Sequence, residues 1–148
     1  IAGRGFNIDS LAVGETEDPT TSRMTIVVDG DDRTIDQIEK QLNRCIDVIT
    51  VVDLTKGAFI DRELMLVRVA VNAKTRTEVM GLAESLKAKV DDVGAKSVVI
   101  QIVGDAAKIR TALELLTPYG IKEIVRTGRV ALAREVQPTS AKAKVLGV

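Results

Sequence analysis

Arg4-Gly-Phe-Asn-Ile-Asp-Ser-Leu-Ala-Val-Gly14, continued by Ser22-Arg-Met-Thr-Ile-Val-Val28, is the stretch on which the fold turns. Phe6, Ile8, Leu11 and Val13 stand among small and polar residues, and Ile26 to Val28 form a β-branched run, so both segments predict strands. Between them Glu15 to Thr21 carries Glu15, Glu17 and Asp18 ahead of Pro19, which removes a backbone donor and ends any ladder there. The two strands therefore form a hairpin.

Working outward, Gly3 and Gly5 mark a turn ahead of the first strand, and the opening Ile1 in place of Met leaves room for a helix before it. After the hairpin, Asp29-Gly30-Asp31-Asp32 is a turn, and Thr34 with Gln37 predicts a capping box. Ile35, Ile38, Leu42, Cys45 and Ile46 then recur at helical spacing, with Asp36, Glu39, Lys40 and Arg44 mostly off their stripe. Val48 to Leu54 predicts a strand, and Lys56-Gly57-Ala58 a linker.

A second unit begins with a strand over Leu64 to Val71, in which Arg68 points away from the core. Thr75 with Glu78 predicts a second capping box, and Val79, Leu82, Ala83 and Leu86 a helix that ends near Ala88. Lys89–Val93 and Ser97–Val103 are strands joined by a short hairpin loop at Gly94-Ala95-Lys96. Asp105 caps a helix carrying Ile109, Ala112, Leu113 and Leu116, which Pro118-Tyr119-Gly120 stops. Ile121 to Glu135 supplies a last strand pair or one strand bent around Gly128.

The second unit thus reads strand-helix-strand-strand-helix-strand, the split βαβ pattern of ferredoxin-like folds. The first reads as the same pattern without its opening strand and most of its first helix, a difference of roughly twenty residues at average element lengths. The expected fold class is α+β with two tandem ferredoxin-like βαββαβ units. The boundaries fall at 1–55, 62–136 and a flexible tail at 137–148.

Composition excludes several functions. The chain has 148 residues, 45% hydrophobic and 28% charged, enough for a sizeable core. Lys+Arg and Asp+Glu both total 21, so no net field gathers nucleic acid or an anionic membrane, and the two Phe, one Tyr and no Trp offer few stacking platforms. No apolar run is long enough to span a bilayer and no secretory leader is visible, so a cytoplasmic location is expected. There is no His, which disfavours the usual zinc sets and Ser/His or Cys/His pairs, and the single Cys45 is expected to be a buried, inert thiol. Gly3-Arg4-Gly5 lacks the third glycine and the preceding strand of a dinucleotide loop. Asp31-Asp32 and Asp91-Asp92 lack the spaced oxygen ligands of a calcium loop and read as turn and strand-end residues, so neither metal nor catalytic residues are expected.

Asn7 is the polar residue with two readings: a turn former whose amide bonds nearby backbone, or a ligand contact. The wording of the opening stretch adds to this. Together with Gln37-Ile-Glu-Lys-Gln-Leu42, Asp61-Arg-Glu-Leu-Met-Leu66 and Gly120-Ile-Lys-Glu-Ile-Val-Arg-Thr-Gly-Arg129, it closely resembles the regulatory small subunit of acetolactate synthase over nearly the whole chain.

The resemblance implies a non-catalytic subunit that binds and activates the thiamine-diphosphate-dependent catalytic subunit and confers feedback inhibition by valine on branched-chain amino acid biosynthesis. Thiamine diphosphate, magnesium and FAD would belong to that partner, with no cofactor in this chain. It further implies that the first unit is an ACT domain, which pairs into a homodimer and binds an amino acid at the pairing interface, and that Asn7 and Ile8 match pocket positions. An Asn amide serves either polar group of an amino acid, and Ile8 offers an apolar wall. The family's other pocket wall, a glycine-containing loop between first strand and first helix, has no counterpart in this sequence. Two other readings stay open: an acylphosphatase-like hydrolase using Arg4 and Asn7, and a free-standing amino-acid sensor.

Overall fold

A computed structural model describes residues 7–45, 47–48 and 50–135. The Gly3–Gly5 turn, Arg4 and the expected tail lie outside them. The chain divides into two compact units, Asp61–Gly128 as one and the described residues on either side of it as the other.

In the first unit, β1 (Asn7–Glu15) and β2 (Ser22–Asp29) form an antiparallel two-stranded sheet, the hairpin expected from the sequence. The helix α1 (Asp32–Asn43) follows. It starts ahead of the expected capping box: the carboxylate of Asp31 accepts the Thr34 N–H at 3.0 Å, so Asp31 is the N-cap and Thr34 already lies in the first turn. Gly30 is forced by that turn, because a Cβ there would sit 2.7 Å from the Thr34 methyl. Ile38 and Leu42 are buried with Val51, and Ile26, Val28 and Val48 pack against them.

Two expectations fail in this unit. The strand predicted over Val48–Leu54 does not form: the described part holds only a lone bridge at Thr50 before a 3-10 turn over Leu54–Lys56. A strand needs a ladder of successive pairings, and the described part of this segment makes only that single one. Cys45 is exposed, its thiol donating to the Gln41 carbonyl at 3.6 Å at the end of α1, where the apolar stripe has turned out of the core.

The second unit follows its expected order. β3 (Phe59–Ala70) leads to α2 (Arg76–Ser85), the hairpin β4 (Lys89–Val93) and β5 (Ser97–Gly104), then α3 (Ala106–Leu116) and β6 (Ile121–Arg126). The strands lie in the order β4-β5-β3-β6, all antiparallel, so the opening strand occupies the middle of the sheet. Alternate residues Met65, Val67 and Val69 of β3 and Val98, Ile100 and Ile102 of β5 are fully buried against Val79, Ala83, Ile109, Ala112 and Leu116 of the helices. Arg68 faces the other way, as its sequence context predicts, 3.8 Å from Asp92 and 3.5 Å from Glu123.

Helix ends account for the connections. Asp105 accepts the Lys108 N–H at 2.9 Å and starts α3 as expected. At α2 the expected capping box is replaced by Asn72, whose amide oxygen accepts from the N–H groups of Lys74 and Thr75 while Thr75 makes no side-chain cap. Gly120, with φ of 101°, turns the chain from α3 into β6. The expected strand pair over 121–135 becomes two strands in different units: β6 closes the second sheet, whereas β7 (Val130–Ala133) lies in the first unit and pairs with β3, the Arg134 N–H donating to the Ala58 carbonyl.

Candidate functional site

The first unit carries both the residues singled out from the sequence and a cavity. Its hairpin is held at the loop end by Asp18, whose carboxylate accepts from the Thr20 N–H at 3.0 Å and the Thr20 hydroxyl at 2.8 Å. Those bonds stabilise the charged form and keep the Asp18 carboxyl below the usual carboxylate range, the backbone bond contributing most. Asp31 is lowered in the same way, first by the Thr34 amide.

Asn7 and Ile8 are at the opposite end of the hairpin. Asn7 opens β1 opposite Asp29 and is exposed, while Ile8 is half-buried opposite Val28, which packs on the core. The register then slips between Ile8 and Ser10, so that Ser10 pairs with Val27 and Asp9 is the extra residue of a bulge. Bulges re-aim side chains and recur beside ligand sites. Here the Ser10 hydroxyl is inaccessible and has no hydrogen-bond partner among the described residues, which costs about 1–3 kcal/mol for a buried polar group of this kind. Ser10 was not singled out from the sequence, because neither the bulge nor the burial of a serine within an alternating strand leaves a signal there.

A cavity of about 300 Å³ lies elsewhere in the same unit. Residues Arg23 to Val28 of β2 line it consecutively, Ile38 and Leu42 of α1 contribute apolar surface, and Val51 to Thr55 with Ala131 to Ala133 of β7 complete it. Charge is confined to Arg23, Glu39, Asp53 and Arg129. Neither Asn7 nor Ile8 lines this cavity, so the structure does not bring the two features together.

Other chemistry is sparse. Among the described residues no group of three or more His, Cys, Asp or Glu is placed to hold a metal ion, and no helix is long and apolar enough to cross a membrane. Glu63, only 4% exposed, is held by Arg126 through two bonds at 2.7 and 3.2 Å across β3 and β6. That fork pairs two neighbouring strands and does not line the cavity of the first unit, so it is a structural link of the second unit.

Comparison with known proteins covers both units. A family profile described as the small subunit of acetolactate synthase matches residues 62–135, and one described as the AHAS small subunit-like ACT domain matches residues 1–50. The chain is 47% identical over 137 residues to the acetolactate synthase small subunit of Aquifex aeolicus, covering 92% of this chain and 71% of that one. It is 43% identical over 146 residues to the Bacillus subtilis small subunit, covering 98% and 85%. The crystal structure of the small subunit from Thermotoga maritima superposes with a TM-score of 0.79 at 37% identity, over 92% of this chain and 85% of the other. With relatives of one description matching along both units, the chain belongs to the acetolactate synthase small-subunit family.

Proposed function

We propose that this chain is a non-catalytic regulatory subunit that binds the catalytic subunit of acetolactate synthase, raises its activity, and makes the first step of branched-chain amino acid synthesis sensitive to valine. The observation that carries the reading is the breadth of the match: 92% and 98% of the chain align with small subunits of Aquifex aeolicus and Bacillus subtilis. A small subunit implies a larger partner. Thiamine diphosphate, magnesium and FAD reside in that partner, where the carbon-carbon bond is made, and the present chain supplies no reacting group.

Regulation of this kind is a coupling free energy: valine must favour one arrangement of the pair of subunits over another, and can shift activity only by that difference. Its site is at Asn7 and Ile8. The Asn7 amide answers the carboxylate or ammonium of the amino acid, and Ile8 the branched side chain. The subunit acts as a homodimer through its ACT units, in the cytoplasm. Co-purification with the catalytic subunit tests the partnership; a folded chain that elutes separately from it at micromolar concentrations contradicts the reading.

A further inference from the structure

The turn between β2 and α1 holds aspartates in two different conditions. Asp31 is locked, its carboxylate accepting from the Thr34 N–H at 3.0 Å and the Thr34 hydroxyl at 3.1 Å. Asp18, Asp53 and Asp105 are held in the same way by the N–H groups of Thr20, Thr55 and Lys108. Asp29 is exposed at the end of β2, and among the described residues its carboxylate has no hydrogen bond or ion pair. Gly30, exposed as well, follows it in a bend.

An aspartate side chain can be attacked by the main-chain nitrogen of the next residue, because the ring that closes has five members. The attack needs a main-chain N–H, a following residue with no Cβ to crowd it, and backbone loose enough for carboxyl carbon and nitrogen to meet. Asp29-Gly30 is the one place in the sequence where an aspartate precedes a glycine, and no asparagine precedes one. The other aspartates fail on one requirement or another. Asp18 precedes Pro19, which has no N–H, and Asp47 precedes the β-branched Val48. Asp9 precedes Ser10 within β1, Asp32 and Asp36 lie in α1, Asp61 in β3, and Asp91 and Asp92 in β4.

We propose that Asp29-Gly30 is a site of spontaneous isoaspartate formation, and that the product makes this chain a substrate for a carboxyl methyltransferase that recognises isoaspartyl groups. The Gly30 nitrogen bonds to the Asp29 side-chain carboxyl carbon, the carbon-oxygen bond breaks, and water leaves with the amide proton. Water then adds to the resulting succinimide. Where it opens the ring at the main-chain carbonyl, the chain runs on through the side-chain carboxyl and the α-carboxylate is set free. Net charge is unchanged and the main chain is one methylene longer. That methylene enters a turn in which even a Cβ on Gly30 would stand 2.7 Å from the Thr34 methyl, so Thr34 and its bond to Asp31 must shift. Asp29 faces Asn7 across the ladder, but the reaction asks nothing of a ligand there.

The test incubates the 148-residue chain at neutral pH, native and in urea, with digestion at intervals. Electron-transfer fragmentation in a mass spectrometer, which tells isoaspartate from aspartate by where the backbone breaks, reads the peptide containing Asp29. Isoaspartate is expected there in the native chain at a rate within about ten-fold of that in urea, as for a strand end that frays readily. Asp29→Asn, which loses ammonia in place of water, should form it faster, and Asp29→Glu, whose longer side chain does not close the five-membered ring, not at all. Methyl transfer from S-adenosylmethionine by an isoaspartyl methyltransferase should rise in step, while amide protection at Thr34 falls. No isoaspartate at Asp29 in the native chain overturns the proposal, whether or not it forms in urea, since the folded turn would then keep carboxyl and nitrogen apart. Accumulation at Asp9 or another aspartate in place of Asp29 overturns it too, as does equal accumulation in Asp29→Glu.

Discussion

Asn7 and Arg126 represent two kinds of polar residue in this chain, one exposed at a strand end and one clamped to a buried partner. Removing Arg126 leaves the Glu63 carboxylate buried without its fork. Arg126→Ala is expected to destabilise the second unit by about 2–3 kcal/mol, reduced from the fully buried case because Arg126 itself is partly exposed. Changing both residues to Met recovers most of that loss, as measured by urea denaturation; a double variant no more stable than the single would remove the buried charge as the cause. Asn7→Ala has the opposite profile: an unchanged melting temperature with valine affinity lowered about ten-fold, the effect of one hydrogen bond to a charged ligand group. Calorimetry with valine checks it, and unchanged affinity would take Asn7 out of the site. Asn7 was legible only through the wording of its neighbourhood, since Asn at a strand start is equally a turn residue.

Among the elements, those with a strong internal period and a cap were legible: α3 starts at Asp105 and buries Ile109, Ala112 and Leu116 as the spacing requires. Asp105→Ala should cost about 1 kcal/mol, as loss of such a cap does, and shift the urea midpoint accordingly. Elements that depend on a neighbour were not legible. Val48–Leu54 has strand composition, but a ladder is a property of two segments, and among the described residues this one makes a single bridge at Thr50 where β6 has a ladder with β3. Cys45 misled for a related reason, since the stripe of α1 outlasts the surface it packs on. The cap of α1 adds a pH dependence of defined sign. The Asp31 carboxyl is lowered from 3.8 by the Thr34 amide, so its folded form binds a proton less readily than its unfolded form. That contribution is present above the unfolded value and disappears as pH falls through the lower folded one. Fraying of α1, followed by amide exchange below about pH 4, should therefore be steeper in the native chain than in Asp31→Asn, which keeps the acceptor but does not titrate. Equal pH profiles would contradict the assignment.

For the whole molecule, the tandem architecture was visible as a repeat of element order even though the residues repeat weakly, because βαββαβ leaves few ways to order its strands. The second unit's buried core is continuous across both helices and the two strands β3 and β5, so Ile100→Ala is expected to cost about 2–5 kcal/mol. What the order could not reveal was the return of β7 to the first unit, since a strand after Gly128 reads the same in either. The central claim concerns this chain acting on another. It is tested most directly by acetolactate formation by the catalytic subunit in thiamine diphosphate, magnesium and FAD, with and without this chain and with and without valine. The account predicts stimulation by the folded chain, and inhibition by valine only when the chain is present. A catalytic subunit whose rate is unchanged by a folded, stoichiometric addition of the chain would contradict it.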